Sequence, residues 1–276
     1  LALPASIPAA SLVFAAVFFA VALSIYTRIA ARIARDGGKV RTSGLALPEL
    51  LMSLVFAGFF GLMMILALRR QDRGELEVSI EAVLPSSFIF IAFTVGILCF
   101  LRFVRHLRIA HVFGLDQASP LATLGWACGL ILAAFPLAGA ANAITLLALH
   151  GQADPQPLVG LFSKVARQHD YLSVGKILLS GVIIQPACEE FLFRGFFYGV
   201  WKRYLHPLAA GFLACLLFAA FHTSLTAFGG LFVLAVCLNL AYERTGSLLV
   251  PIGMHALFNF ASLSVLFLQA QFAPAS

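Results

Sequence analysis

Apolar residues run along this chain in blocks of about 20 with short polar breaks between them, the length that carries a helix across the roughly 30 Å hydrocarbon core of a bilayer. The blocks predict membrane-spanning helices over residues 7–27, 45–68, 86–105, 121–149, 172–201, 207–226, 228–243 and 249–270. Of the breaks, residues 69–85 are the most charged and 154–157 mark the other long loop, both solvent-facing by composition. Within 103–115, Arg105, His106, Arg108 and His111 alternate with apolar residues at helical spacing, which predicts a short basic helix lying on a membrane surface. The stretch 7–25 is long for the apolar region of a signal peptide and is followed by Arg28, Arg32 and Arg35, so it reads as a retained first helix. The fold expected is all-α, a polytopic integral membrane helical bundle of about eight transmembrane helices forming a single membrane domain over 1–276. No inverted repeat or low-complexity tract interrupts it.

Composition sharpens this picture. Hydrophobic residues make up 61% of the chain and charged ones 11%, against roughly 45–50% and 25% in soluble domains, and the eight spans leave no room for a soluble domain. Arg28, Arg32, Arg35, Lys39, Arg41, Arg102, Arg105, Arg108, Lys202, Arg203 and Arg244 fall on one side of the predicted bundle; Arg69, Arg70, Arg73, Lys164, Arg167 and Lys176 fall on or near the other. The richer side is expected to be cytoplasmic, with both termini outside. The net charge of +6 then serves topology and attraction to the lipid surface, and no basic cluster is dense enough to argue for nucleic acid. The five cysteines, Cys99, Cys128, Cys188, Cys215 and Cys237, are scattered through apolar segments with no CxxC pair, which reads as core packing rather than a disulfide framework.

Against this background the polar residues inside the spans stand out. Of twelve acidic residues, only Glu189 and Glu190 fall mid-way along a predicted span. A charge there costs about 2.5–3.5 kcal/mol on insertion scales, so it needs a partner and usually a function. Glu190 and Arg194 are four apart in the favourable acid-before-base order and can pair on one helix face. Glu189 is turned about 100° from Glu190 and is not so easily neutralised. Pro186 lacks a backbone donor and should kink or loosen the preceding turn, admitting water. His222 and His255 are the two of seven histidines in or at the ends of spans, in the helical pairs Phe218 with His222 and His255 with Asn259. Each alone is a packing histidine as readily as a catalyst, and Asn259 alone could be interhelical glue. Together, on three helices, they point to one buried cavity.

These residues carry a specific resemblance. Residues 186–195, with Glu189, Glu190 and Arg194, resemble the EExxxR motif of the type II CAAX prenyl endopeptidase family, also called CPBP or ABI intramembrane proteases. Phe218 with His222 is similar to that family's FxxxH motif, and His255 with Asn259 to its HxxxN motif, preceded by a similar Thr245, Gly246, Ser247, Leu248 and Pro251. The resemblance implies a helical bundle of usually eight membrane helices, with 172–262 as its catalytic core and 1–171 as variable amino-terminal spans. It implies an intramembrane endopeptidase acting on a membrane-associated protein or peptide, a prenylated CAAX-type protein among the candidates.

Combining that resemblance with helical geometry, we expect Glu189 to be the general base and His222 to help hold the attacking water. His255 and Asn259 are expected to stabilise the oxyanion, while Arg194 paired with Glu190 fixes the carboxylate helix. No obligatory cofactor is expected. By residue type Glu189, His222 and His255 also form a His₂Glu zinc set, although the HExxH signature is absent, so a zinc ion stays open. Two other classes compete: a non-proteolytic membrane scaffold or bacteriocin-immunity protein, and a proton-coupled transporter. The partners expected are membrane lipid and the substrate, and the compartment is the plasma membrane of a prokaryote. Oligomeric state is not legible.

Overall fold

A bilayer offers backbone N–H and C=O groups no partner but each other, so each apolar block coils into a helix. The computed structural model describes residues 9–72, 79–150 and 157–272; Arg73 and most of the loop at 154–157 lie outside them. The described elements are α1 (Ala9–Asp36), α2 (Leu47–Asp72), α3 (Ile80–Cys99), α4 (Ile109–Val112), α5 (Pro120–Ala148), α6 (Pro157–Arg167) and α7 (Tyr171–Leu178), then α8 (Gln185–Glu190), α9 (Gly199–Lys202), α10 (Pro207–Phe221), α11 (Leu225–Thr245) and α12 (Leu249–Phe272). Three π-helical segments interrupt them. Phe100–Val104 extends α3, while Leu179–Ile184 and Phe191–Tyr198 join α7, α8 and α9 into one rod over Tyr171–Lys202.

Polar residues at the breaks set the helix ends. The side chains of Ser119, Asp170 and Ser224 accept from the backbone N–H three residues on, and Pro120 stands at the first position of α5. Gly246 closes α11 in the left-handed region at φ 76°, its N–H bonded to the Tyr242 carbonyl, where a Cβ would be strained.

The chain is a polytopic helical bundle. Among the described residues seven helices are long and apolar enough to cross a membrane, and α10, at 15 residues, is a shorter apolar one. The expected span over 207–226 stops at Phe221 because Thr223 takes φ 50° and Ser224 starts the next helix. The expected basic surface helix over 103–115 does not form as one element. His106 adopts φ 53° and only Ile109–Val112 is α-helical. Tertiary pairs override the local pattern there: Arg105 Nε binds the buried Glu49 at 2.5 Å, and Arg41 Nη1 donates to the His111 carbonyl at 3.1 Å.

Three apolar clusters hold the bundle. Aromatic rings from α2, the rod and α10, among them Phe60, Phe193, Phe197 and Phe218, form the one beneath the carboxylate pair. A second joins α1, α5, α11 and α12, and a third seats α6 and α7 on α12. Elsewhere α1 and α2 present Leu12, Phe14, Val17, Leu51 and Val55 outward, a face suited to lipid. At one end, the loops after α1 and after α11 meet the C-terminal end of the rod. There the buried Glu243 receives the Val40 N–H at 3.1 Å, Lys202 Nζ at 2.5 Å and the Tyr198 hydroxyl. Leu248 N–H bonds the Phe113 carbonyl beside them.

Candidate active site

The rod places its carboxylates on α8, one short α-helical stretch between two π-helical turns. Glu190 is fully buried and Glu189 is 8% exposed. Arg194, in the π segment that follows, is 1% exposed, and its Nη1 donates to Glu190 Oε1 at 2.8 Å. The wider turn thus preserves the four-residue pairing read from the sequence. The guanidinium carbon lies 4.2 Å from the centroid of the Phe218 ring, so its charge is met by a carboxylate at one edge and a π face at the other.

His255, on the second turn of α12, is 3% exposed and reaches the same carboxylate: its Nδ1 lies 2.8 Å from Glu190 Oε1. A carboxylate oxygen already holding the arginine can only accept, which assigns the proton to Nδ1 and turns Nε2 toward Glu189 Oε2, 4.0 Å away. Glu190 Oε1 is therefore bound twice, while Glu189 has His255 at ion-pair distance and accepts no hydrogen bond among the described residues. Two adjacent acids have been given opposite circumstances.

His222 caps the C-terminus of α10. Its Nδ1 lies 2.9 Å from the Phe218 carbonyl, an acceptor only, so the proton sits on Nδ1 and Nε2 is left as the basic nitrogen. The left-handed turn at Thr223 immediately follows, an unusual conformation for a β-branched residue. Phe218 lies at the centre of the constellation: its ring centroid is 4.7 Å from that of His222, 5.8 Å from that of His255 and 5.2 Å from that of Phe193. Asn259, one turn beyond His255, donates from Nδ2 to the Gly181 carbonyl of the rod at 2.8 Å.

The six residues singled out in the sequence thus occupy one region on three helices. Glu190, Arg194 and His255 are directly joined, Glu189 adjoins His255, His222 connects to the group through Phe218, and Asn259 meets the rod nine residues before Glu190. One N–H of its amide is engaged with the backbone. Among the described residues no three His, Cys, Asp or Glu side chains gather as a metal-ligand group. The sequence reading missed Gly181 as a partner and the buried Glu243, Tyr198 and Lys202 cluster at the rod's end. For the latter, a carboxylate at the last turn of one span and a lysine at the last turn of another were the available signal.

Residues 173–261 match the family model described as type II CAAX prenyl endopeptidase Rce1-like. Neither a curated protein nor a solved structure matches the chain.

Proposed function

We propose that this chain, whose residues 173–261 match the Rce1-like type II CAAX prenyl endopeptidase model, hydrolyses a peptide bond of a membrane-associated protein or peptide with a water activated by Glu189. The observation that carries the reading is the unequal treatment of the two buried carboxylates. Arg194 and His255 both bind Glu190, while Glu189 accepts no hydrogen bond among the described residues. A base must be within reach of a water and not already bound.

In this reading Glu189 takes a proton from the attacking water and returns it to the leaving amine. The basic Nε2 of His222 accepts the water's other O–H and so orients it. His255 is aimed by its Nδ1–H bond to Glu190, and when its ring carries both protons Nε2–H is a donor for the oxyanion. The second N–H of Asn259, not used by Gly181, is the other donor. In this reading no step is routed through a metal; in support, no three metal-ligating side chains gather among the described residues. Equal zinc content in purified wild-type and His222→Ala protein is expected; zinc bound stoichiometrically and lost in the variant would bring the metal back. Prenylated CAAX-type proteins are substrates in a cell that makes them, and in a prokaryotic plasma membrane other lipid-associated proteins take that place.

The test compares peptides released from native membranes supplied with wild-type protein or an equally folded Glu189→Gln variant. Fragments are expected only with the wild type, and they name the substrate and the depth of cleavage. Identical fragment sets would replace this reading by a scaffold that binds partners without cutting them.

A further inference from the structure

The rod's first π-helical segment ends where proline begins the carboxylate stretch. Gln185 N–H bonds the Ser180 carbonyl, five residues back. At that spacing the next donor would be residue 186, pairing with the Gly181 carbonyl. Residue 186 is proline and has no N–H. Gly181 lies inside the bundle, and a buried carbonyl left without a donor is costly. The donor it receives is Asn259 Nδ2, at 2.8 Å, from another helix.

We propose that Pro186 and Asn259 act as one device: the proline strips Gly181 of its backbone donor so that the α12 amide must supply it, and this pins the histidine helix in register against the carboxylates. Asn259 and His255 are one turn apart on α12, and each holds a different point of the rod, Gly181 and Glu190. One contact would leave α12 free to slide or rotate about it; two fix both motions. Pro186 is thus a positioning residue acting through Asn259 and His255. The inference concerns how the site is built and stands apart from the proteolytic reading, since it is measured without a substrate.

The experiment is a thermal-unfolding cycle in lipid nanodiscs on wild type, Asn259→Ala, Pro186→Ala and the double variant, joined to ¹⁵N NMR of labelled histidine. Asn259→Ala alone is expected to lower the midpoint by about 3 °C. With alanine at 186 the restored N–H satisfies Gly181, and the same change is expected to cost less than half as much. The His255 Nδ1 signal, which reports its bond to Glu190, should move in Asn259→Ala and return in the double variant. Should Asn259→Ala not fold, Asn259→Leu, similar in volume and unable to donate, carries the same comparison. Equal losses in both backgrounds would overturn the coupling to Pro186, and a His255 signal unmoved by loss of the amide would overturn the positioning role. Neither result depends on whether peptides are cut.

Discussion

Arg194 carries more of the site than a helix-internal salt bridge ordinarily would. It neutralises Glu190, lies over Phe218 and is itself almost wholly buried. Removing one partner of a buried ion pair leaves the other charge stranded and costs about 3–5 kcal/mol. Arg194→Ala is therefore expected to destabilise the protein by about that much in reversible unfolding, whereas Arg194→Lys, which keeps the charge but loses the flat face against Phe218, should cost less. A variant with alanine as stable as wild type would show that the pair contributes nothing. The Glu190 and Arg194 pairing was legible because both residues lie on one helix, where spacing alone sets geometry. The His255 contact with the same oxygen was not, since the two are 65 residues apart and nothing in either local pattern names the other. Sequence reading could also say that one of two carboxylates would be held. It could not say that the held one would take both Arg194 and His255 while the other accepts no hydrogen bond among the described residues.

At the scale of the element, the helix ends decide more than the helix bodies. Gly246 ends α11 at φ 76°, close to Lys39, so Gly246→Val should lose about 1–2 kcal/mol from the left-handed backbone alone, seen as a lower unfolding midpoint; an unchanged midpoint would mean the loop relaxes to another turn. The rod opens on Asp170, whose carboxyl is held below its ordinary 3.8 by the Ser173 side chain and backbone N–H. Because the folded value is the lower one, this capping contribution is complete above the ordinary value and is lost as pH falls through the depressed one. Asp170→Asn should keep the cap and remove that part of the acid dependence, so an unaltered acid limb would assign the limb to other groups. The long spans were legible from hydropathy, and so was the capping chemistry. The π-helical turns were not, because six or eight apolar residues show no difference between the two helical periods. The early end of α10 was hidden for a similar reason: the residues beyond it are compatible with a continuing helix, and only the Thr223 backbone breaks it.

Across the whole molecule, three of the eleven basic residues counted on one side, Arg41, Arg105 and Lys202, meet His111, Glu49 and Glu243. If that side is cytoplasmic, a membrane-impermeant thiol reagent should label Asp36→Cys only from the inside and Gln168→Cys only from the outside, each in a cysteine-free background. Labelling of both from one side would break the eight-crossing path. The long spans were legible because apolar length is a property of whole segments, while the packing that brings α12 against the rod is a property of surfaces and left no mark in the order of residues. The rod itself differs from its neighbours in one further respect. A π-helical turn closes its hydrogen-bonded ring with one residue more than an α-helical turn, so the two segments flanking Glu189 and Glu190 hold spare chain. Deleting one residue within Phe191–Tyr198 lets that stretch close as an ordinary α-turn with its flanks nearly in place, whereas the same deletion in α11 would swing everything beyond it by about 100°. Among the described residues, the segment that bears the chemistry is thus a long helix whose interior can change in length by one residue without changing what its flanks point at.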